Sequence, residues 1–406
     1  MEFKHKKIDN GLNIIAEVNK DAQSAAAGFF VRTGARDETD QINGVSHYLE
    51  HMLFKGTDKL SALDVNLCFD NLGAQYNAFT SEENTVFYAA TLPKQLEEVT
   101  KLWCELLRPS LRDDDFNMEK NVILEEIAMY KDLPQFDVMD RCRALHFDKH
   151  PCGKSVLGSV ESIKALTSGQ MREYFDGRYA PNNITVVIAG NFDFEKICDC
   201  IEAGCGKWTP KQAERIIEYF AGTARKEHLK RKNLNRQHIC LTSPTVSYQD
   251  KRCYAATLLA KIIGDDSGSR FFWELVDTAI AEAAAMHCEA MDNVGAYYSY
   301  IQTAPENSER VMDIIEGIFK SLQKAKISDF ELQTAKNKVL SAITIKNEVP
   351  MGRLVELGFN WVYLGRYLPI EEEIKRIKNV TIEDLHALLA DFPLMPYTQF
   401  SLGPEK

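Results

Sequence analysis

Apolar positions along the chain alternate between a period of two and a period near 3.6, and the switches between the two outline its elements. The opening "MEFKHKKIDNGLNIIAEVN" predicts two strands around an Asn10-Gly11 turn. Helical stretches follow, then "GAQYNAFTSEENTVFYAATLP" (73–93), whose two β-prone runs flank a polar turn and predict a hairpin. Further helices lead to the apolar strand "NNITVVIAGNF". After a charged stretch at 209–232 the order restarts with "RQHICLTSPT", a helix, paired strands "EAAAMHCEAM" and "GAYYSYIQTAP", more helices and a closing "PYTQFSLGPEK". The pattern predicts an α+β architecture used twice, each copy a mixed β-sheet with helices packed on one face. The expected boundaries are an N-terminal domain at 1–208, a linker at 209–232 and a C-terminal domain at 233–406, with slight identity between the halves.

Length agrees with two domains, since 406 residues exceed one ordinary core. No apolar run approaches the roughly 20 residues of a membrane span. The N-terminus lacks the apolar core and small-residue cleavage site of an export signal, so a cytoplasmic protein is expected. The net charge of −11 argues against a general nucleic-acid binder. The basic run "RKEHLKRK" (Arg225 to Lys232) is then expected to be solvated linker. Ten cysteines are scattered, and the densest group, Cys198, Cys200 and Cys205, has no second pair to make a zinc knuckle. Most are expected to be reduced and buried.

Candidate chemistry concentrates in "GVSHYLEHMLFKGT". On a helix, His47 and His51 at i and i+4 share one face, which suits two imidazoles converging on one tetrahedral ion. Glu50 lies beside them, able to reach a ligand of the metal without occupying the metal. A catalytic zinc takes a third protein ligand and keeps one position open. The third ligand is sought in "DDDFNMEKNVILEEIAMYKDLP" (113–134), a helix with an acidic start. Phe116, Ile123, Ile127 and Tyr130 mark its core face. Glu126 lies about 80° from the centre of that face, whereas Glu125 points away. Glu119, seven residues before Glu126, is on nearly the same stripe and is a candidate for orienting a ligand or holding a proton. The hairpin at 73–93 could present a sheet edge that accepts an extended peptide by main-chain hydrogen bonds.

These segments together, with "HPCGKSVLGSVESI", "YAPNNITVVIAGNF" and "GAYYSYIQTAPEN", resemble the pitrilysin family of inverted-motif (HxxEH) zinc metallopeptidases, particularly its short bacterial members, over nearly the whole chain. The resemblance implies one Zn2+ per chain held by His47, His51 and Glu126, with Glu50 as general base and Glu119 as an additional active-site carboxylate. The interval from His51 to Glu126 (126 − 51 = 75) falls close to the family's usual spacing. It also implies that Asn77, Ala78, Phe79 and Thr80 lie on a substrate-binding edge strand, and that two chains close around an oligopeptide or unfolded segment.

The chain departs from the family in its second half. Active members use an arginine and a tyrosine there, but "SRFFWELVDTAIAEAAAMHC" (269–288) keeps only the earlier Arg270, placing Val276 and Ala283 where the pair is expected. Either Tyr297, Tyr298 or Tyr300 substitutes through a slipped alignment, or the chain is an inactive relative, or the pair comes from another chain. The favoured expectation is the third: a heterodimer with a homologous zinc-less subunit carrying the pair, otherwise a homodimer. The rival is a non-catalytic structural or peptide-binding subunit.

Overall fold

The structure, a computed structural model, describes residues 1–324 and 327–405. The first sheet contains β1 (Glu2–Lys7), β2 (Asn13–Val18), β3 (Ala25–Val31), β4 (Gln75–Thr80), β5 (Thr85–Thr91) and β6 (Ile184–Gly190), in the order β1-β2-β6-β3-β5-β4. Only β2 and β6 run parallel. Gly11, at φ +92°, turns β1 into β2, and Asn10 Oδ1 accepts from the Leu12 amide to close the turn. Between the strands lie α1 (Val45–Leu53), α2 (Ala62–Leu72), α3 (Leu96–Leu106), α4 (Asp113–Asp132), α5 (Pro134–Phe147), α6 (Val160–Ala165) and α7 (Ser168–Arg178), with α8 (Phe194–Cys205) after β6.

The second sheet contains β7 (Lys226–Arg231), β8 (Gln237–Pro244), β9 (Ala281–Ala290), β10 (Gly295–Thr303) and β11 (Thr398–Pro404), in the order β7-β11-β8-β10-β9. The helices in this part of the chain are α9 (Cys253–Gly264), α10 (Ser308–Gln323), α11 (Asp329–Asn347), α12 (Pro350–Leu364), α13 (Ile370–Asn379) and α14 (Ile382–Asp391). Apart from the extra β1, the strand orders match, down to the one parallel pair, β2 with β6 and β7 with β11.

In both sheets the central strands are buried on both faces: β3 and β6 are near-continuous apolar runs, whereas β8 also buries Gln237, His238, Thr242 and Ser243. Most helices pack on one face of the first sheet, where Ile14, Ala27 and Phe29 meet Tyr48, Leu49 and Trp103 in a large core. The opposite face, with Ile15, Phe30 and Val187, is covered by a single helix, α12, through Leu354 and Leu357. Arg353 of α12 anchors that contact: its guanidinium forks onto the buried carboxylate of Glu17 at 2.5 and 2.7 Å. In the second sheet the corresponding cover is α5, through Val138 and Cys142.

The compact units are therefore discontinuous in sequence. One takes in Met1–Ala128, Lys154–Ile216 and Thr344–Tyr367; the other takes in Met129–Gly153, Ile217–Ile343 and the chain from Leu368. The expected boundaries at 208 and 233 differ from these, because each half supplies a helix that completes the other half's sheet. The stretch 209–232 is also more than solvated linker. Arg215 grips Asp37 through two hydrogen bonds of 2.9 and 2.7 Å, and 226–231 form β7 at the sheet's edge. The strand's charges point outward, a common protection for a sheet edge, and that charge run concealed the strand in the sequence. All ten cysteines are free thiols, and seven are buried. Among the described residues no helix is long and apolar enough to cross a membrane.

Candidate metal centre

Helix α1 starts at Gly44, which holds φ +94°, and a Cβ there would stand 2.7 Å from the Leu157 carbonyl oxygen. Only glycine fits both demands. With no side chain of its own at this cap, the helix is capped from outside by the Glu38 carboxylate. Glu38 accepts from the amides of Gly44 and Ser46 at 2.7 Å each and from Asn43 Nδ2 at 2.8 Å. Burial pushes the Glu38 carboxyl up to about 7 despite those three donors. Further along, Tyr48 donates to the Phe116 carbonyl and its ring stacks on that of Phe116, 4.8 Å between centroids. This contact sets α4 against α1.

The docking brings the three expected ligands together. His47 and His51 have ring centroids 4.7 Å apart, and each Nε2 lies 3.6 Å from Glu126 Oε2. A tetrahedral zinc with bonds of about 2.0–2.2 Å holds its ligand atoms roughly 3.3–3.6 Å from one another, so the donor set fits that ion. These three form the one potential metal cluster found among the described residues. Burial, helped by His51, depresses the His47 pKa to about 3, so the ring stays neutral as ligation requires. Burial also raises the Glu126 carboxyl, with His51 working against it. Glu125, by contrast, is exposed.

His51 is oriented by Glu119. Its Nδ1 lies 2.8 Å from Glu119 Oε1, which leaves Nε2 facing Glu126. Burial alone would lower the His51 pKa; the bond to Glu119 and the charges of Glu126, Glu119 and Glu50 reverse that and raise it. Lys55 closes the chain with Nζ 2.5 Å from Glu119 Oε2. Burial would raise the Glu119 carboxyl, but His51 and Lys55 outweigh it and hold the group ionised.

Glu50 stands outside the cluster of three, where Thr80 Oγ1 donates to its Oε2 at 2.5 Å. Burial raises its pKa, with Thr80 opposing. Thr80 ends β4, the last strand of the first sheet, which pairs only with β5 from Gln75↔Ala90 to Thr80↔Thr85. Asn77 is exposed, and Ala78 and Thr80 are half-buried. Phe79 turns the other way, toward Tyr88 and Phe359 of α12. Glu38 and Lys55 escaped the sequence reading. Lys55 sits four residues beyond His51, a helical interval that points to it in retrospect, whereas nothing local marks Glu38.

Among the described residues the second unit holds no comparable arrangement. Arg270 is engaged with Glu331 at 2.7 Å and Ser321 Oγ at 2.9 Å. Val276 ends a short π-helical turn, and Ala283 lies on β9. Tyr297 and Tyr298 are buried in the unit's cores, and the hydroxyl of Tyr300 is 2.8 Å from His238 Nδ1. Those tyrosines are taken up by packing or local hydrogen bonding.

Comparison with known proteins agrees with this geometry. Residues 13–160 match the family described as Insulinase (Peptidase family M16), and 165–339 match the Peptidase M16 inactive domain. The chain is 29% identical over 405 residues to YmxG of Bacillus subtilis (strain 168), named an uncharacterized zinc protease, covering 99% of this chain and 98% of that one. It is 26% identical over 421 residues to the mitochondrial-processing peptidase subunit beta of Saccharomyces cerevisiae, covering 98% and 90%. The fold is shared with a protease from Helicobacter pylori at a TM-score of 0.92 and 19% identity, covering 99% and 100%. A chain of Complex III2 from Candida albicans also shares it, at 0.85 and 17%, covering 99% and 95%. Sequence, fold and donor set converge: the chain belongs to peptidase family M16, as a zinc peptidase with His47, His51 and Glu126 gathered in its first unit.

Proposed function

We propose that the chain is an endopeptidase that hydrolyses oligopeptides or unfolded segments in a closed chamber, and that it is the metal-bearing subunit of a heterodimer in the cytoplasm. The observation that carries the reading is the placement of Glu50 beside the three donors, held by the end of an edge strand. When bound by His47, His51 and Glu126, zinc supplies Lewis acidity, polarising the scissile carbonyl and easing proton loss from water.

The chain's own residues do the rest. The main chain of β4 from Asn77 to Thr80 receives the substrate as an added strand, which aligns the scissile bond while tolerating many side chains. Glu50 takes the proton of the attacking water and delivers it to the leaving amine. Its burial-raised pKa suits both halves of that transfer. Glu119, kept ionised by Lys55, holds the His51 ring in place.

Val276 and Ala283 support the divided site, because neither can hydrogen-bond substrate through its side chain. The non-catalytic reading draws on the fold shared with a Complex III2 chain. The complete donor set and Glu50 count against it. Quenched fluorescent peptides, offered to the zinc-loaded chain alone and mixed with a zinc-less homologue, separate the readings. Activity on mixing only, abolished by Glu50→Gln with zinc retained, supports the proposal. Full activity from the pure chain removes the heterodimer, and silence in both supports the non-catalytic role.

A further inference from the structure

Helices α3 and α8 meet at a pair of thiols that peptide hydrolysis leaves unused. Cys104 on α3 and Cys205 at the end of α8 have their sulfurs 3.4 Å apart, with the Cys205 thiol donating to Cys104. Gly204 permits the approach, since a Cβ there would lie 2.7 Å from the Cys104 Cβ. Cys205 is fully enclosed. Cys104 instead contributes, with Cys200, to the wall of a hollow of about 550 Å³. The same hollow is lined by Lys59, Lys101 and Arg108, along with the carboxylates of Asp58 and Glu105. The Arg108 guanidinium lies 3.5 Å over the Trp208 ring. The hollow's size falls in the range of small-molecule sites.

We propose that Cys104 and Cys205 are a modification site: a low-molecular-weight disulfide entering the hollow converts them to an intramolecular disulfide. In the first step the Cys104 sulfur attacks one sulfur of the incoming disulfide, releasing one thiol and forming a mixed disulfide. Cys205 then attacks the Cys104 sulfur, expelling the second thiol. The two cysteines lose two electrons and two protons, and the small disulfide is reduced to two thiols. Bringing the sulfurs from contact to a bond of about 2.05 Å takes a shift of about 1.4 Å. The bond to Cys205, and then burial, hold the Cys104 thiol well above its ordinary pKa, so the exchange is slow at neutral pH and depends on the second thiol waiting beside the first.

The test is incubation of the zinc-loaded chain with oxidised glutathione for hours, followed by alkylation, peptide mapping and thermal melting. The expected result is a loss of two hydrogen masses, a 104–205 link, and a melting temperature raised by about 5 °C or more, because the bond closes a long loop. Reduction with dithiothreitol reverses all three, Cys205→Ala stops the reaction at the mixed disulfide, and Cys200→Ala changes nothing. Both sulfurs remaining open to alkylation after unfolding, a link through Cys200, or a glutathione adduct persisting on the unmutated chain would overturn the proposal.

Discussion

Helices α1 and α9 follow equivalent strands, β3 and β8, in two sheets of matching order, yet they have opposite characters. Helix α9, "CYAATLLAKIIG", buries Leu258, Leu259, Ile262 and Ile263 and serves its core. Helix α1 also buries an apolar side, Val45, Tyr48, Leu49 and Leu53, but its other side brings His47 and His51 to Glu126 of α4 and Glu50 to Thr80 of β4. The difference shows that the fold supplies a platform while the chemistry resides in a few side chains on one copy of it. It also shows what that chemistry demands: an outside cap at Glu38, a stacked tyrosine at Tyr48 and a carboxylate relay from Lys55 through Glu119 to His51.

The strongest way to break the contrast is His47→Ala, which should remove zinc from the protein and reduce peptide hydrolysis to background, as read by metal analysis beside a peptide assay. Next, Glu50→Gln should lower kcat by about 10²–10⁴-fold while zinc content and peptide affinity stay near wild type; a parallel loss of zinc would make Glu50 a ligand instead. Glu119→Gln or Lys55→Ala should weaken zinc binding by about 10–100-fold in a chelator competition, with the fold retained by circular dichroism. On the other side of the comparison, Leu259→Ala should cost about 2–5 kcal/mol of unfolding free energy in the second unit and leave zinc stoichiometry unchanged.

Acid should sharpen the contrast further. His47 has its folded pKa depressed to about 3, so the unfolded chain binds this proton more readily between about pH 6.5 and 3. The metal-free protein therefore carries a His47 penalty that is absent above pH 6.5 and grows as pH falls toward 3. His47→Gln should flatten that part of the stability profile in denaturant titrations; an unchanged slope would show that His47 is not buried as described.

Much of this was legible along the chain because its signals are local. The i, i+4 spacing placed His47 and His51 on one face of α1, and the stripe of Phe116, Ile123 and Ile127 picked Glu126 over Glu125 on α4. Features that depend on distant segments left no such mark. Glu38 acts from a loop on the amides of Gly44 and Ser46, and in the sequence its carboxylate, between Asp37 and Asp40, looks like any surface acid. The exchange of α5 and α12 was equally silent, because periodicity shows that a helix has an apolar side without showing which sheet receives it. β7 was missed for the opposite reason: its run of exposed charges, useful at an edge, reads as solvated chain.

The most direct test of a single chemical centre in a doubled fold is calorimetric titration of the metal-free chain with zinc, run in parallel on His47→Ala. One tight site per chain that disappears in the variant is the expected result. Two sites of similar affinity, or a single site that survives loss of His47, would contradict the assignment of the metal to α1 and α4.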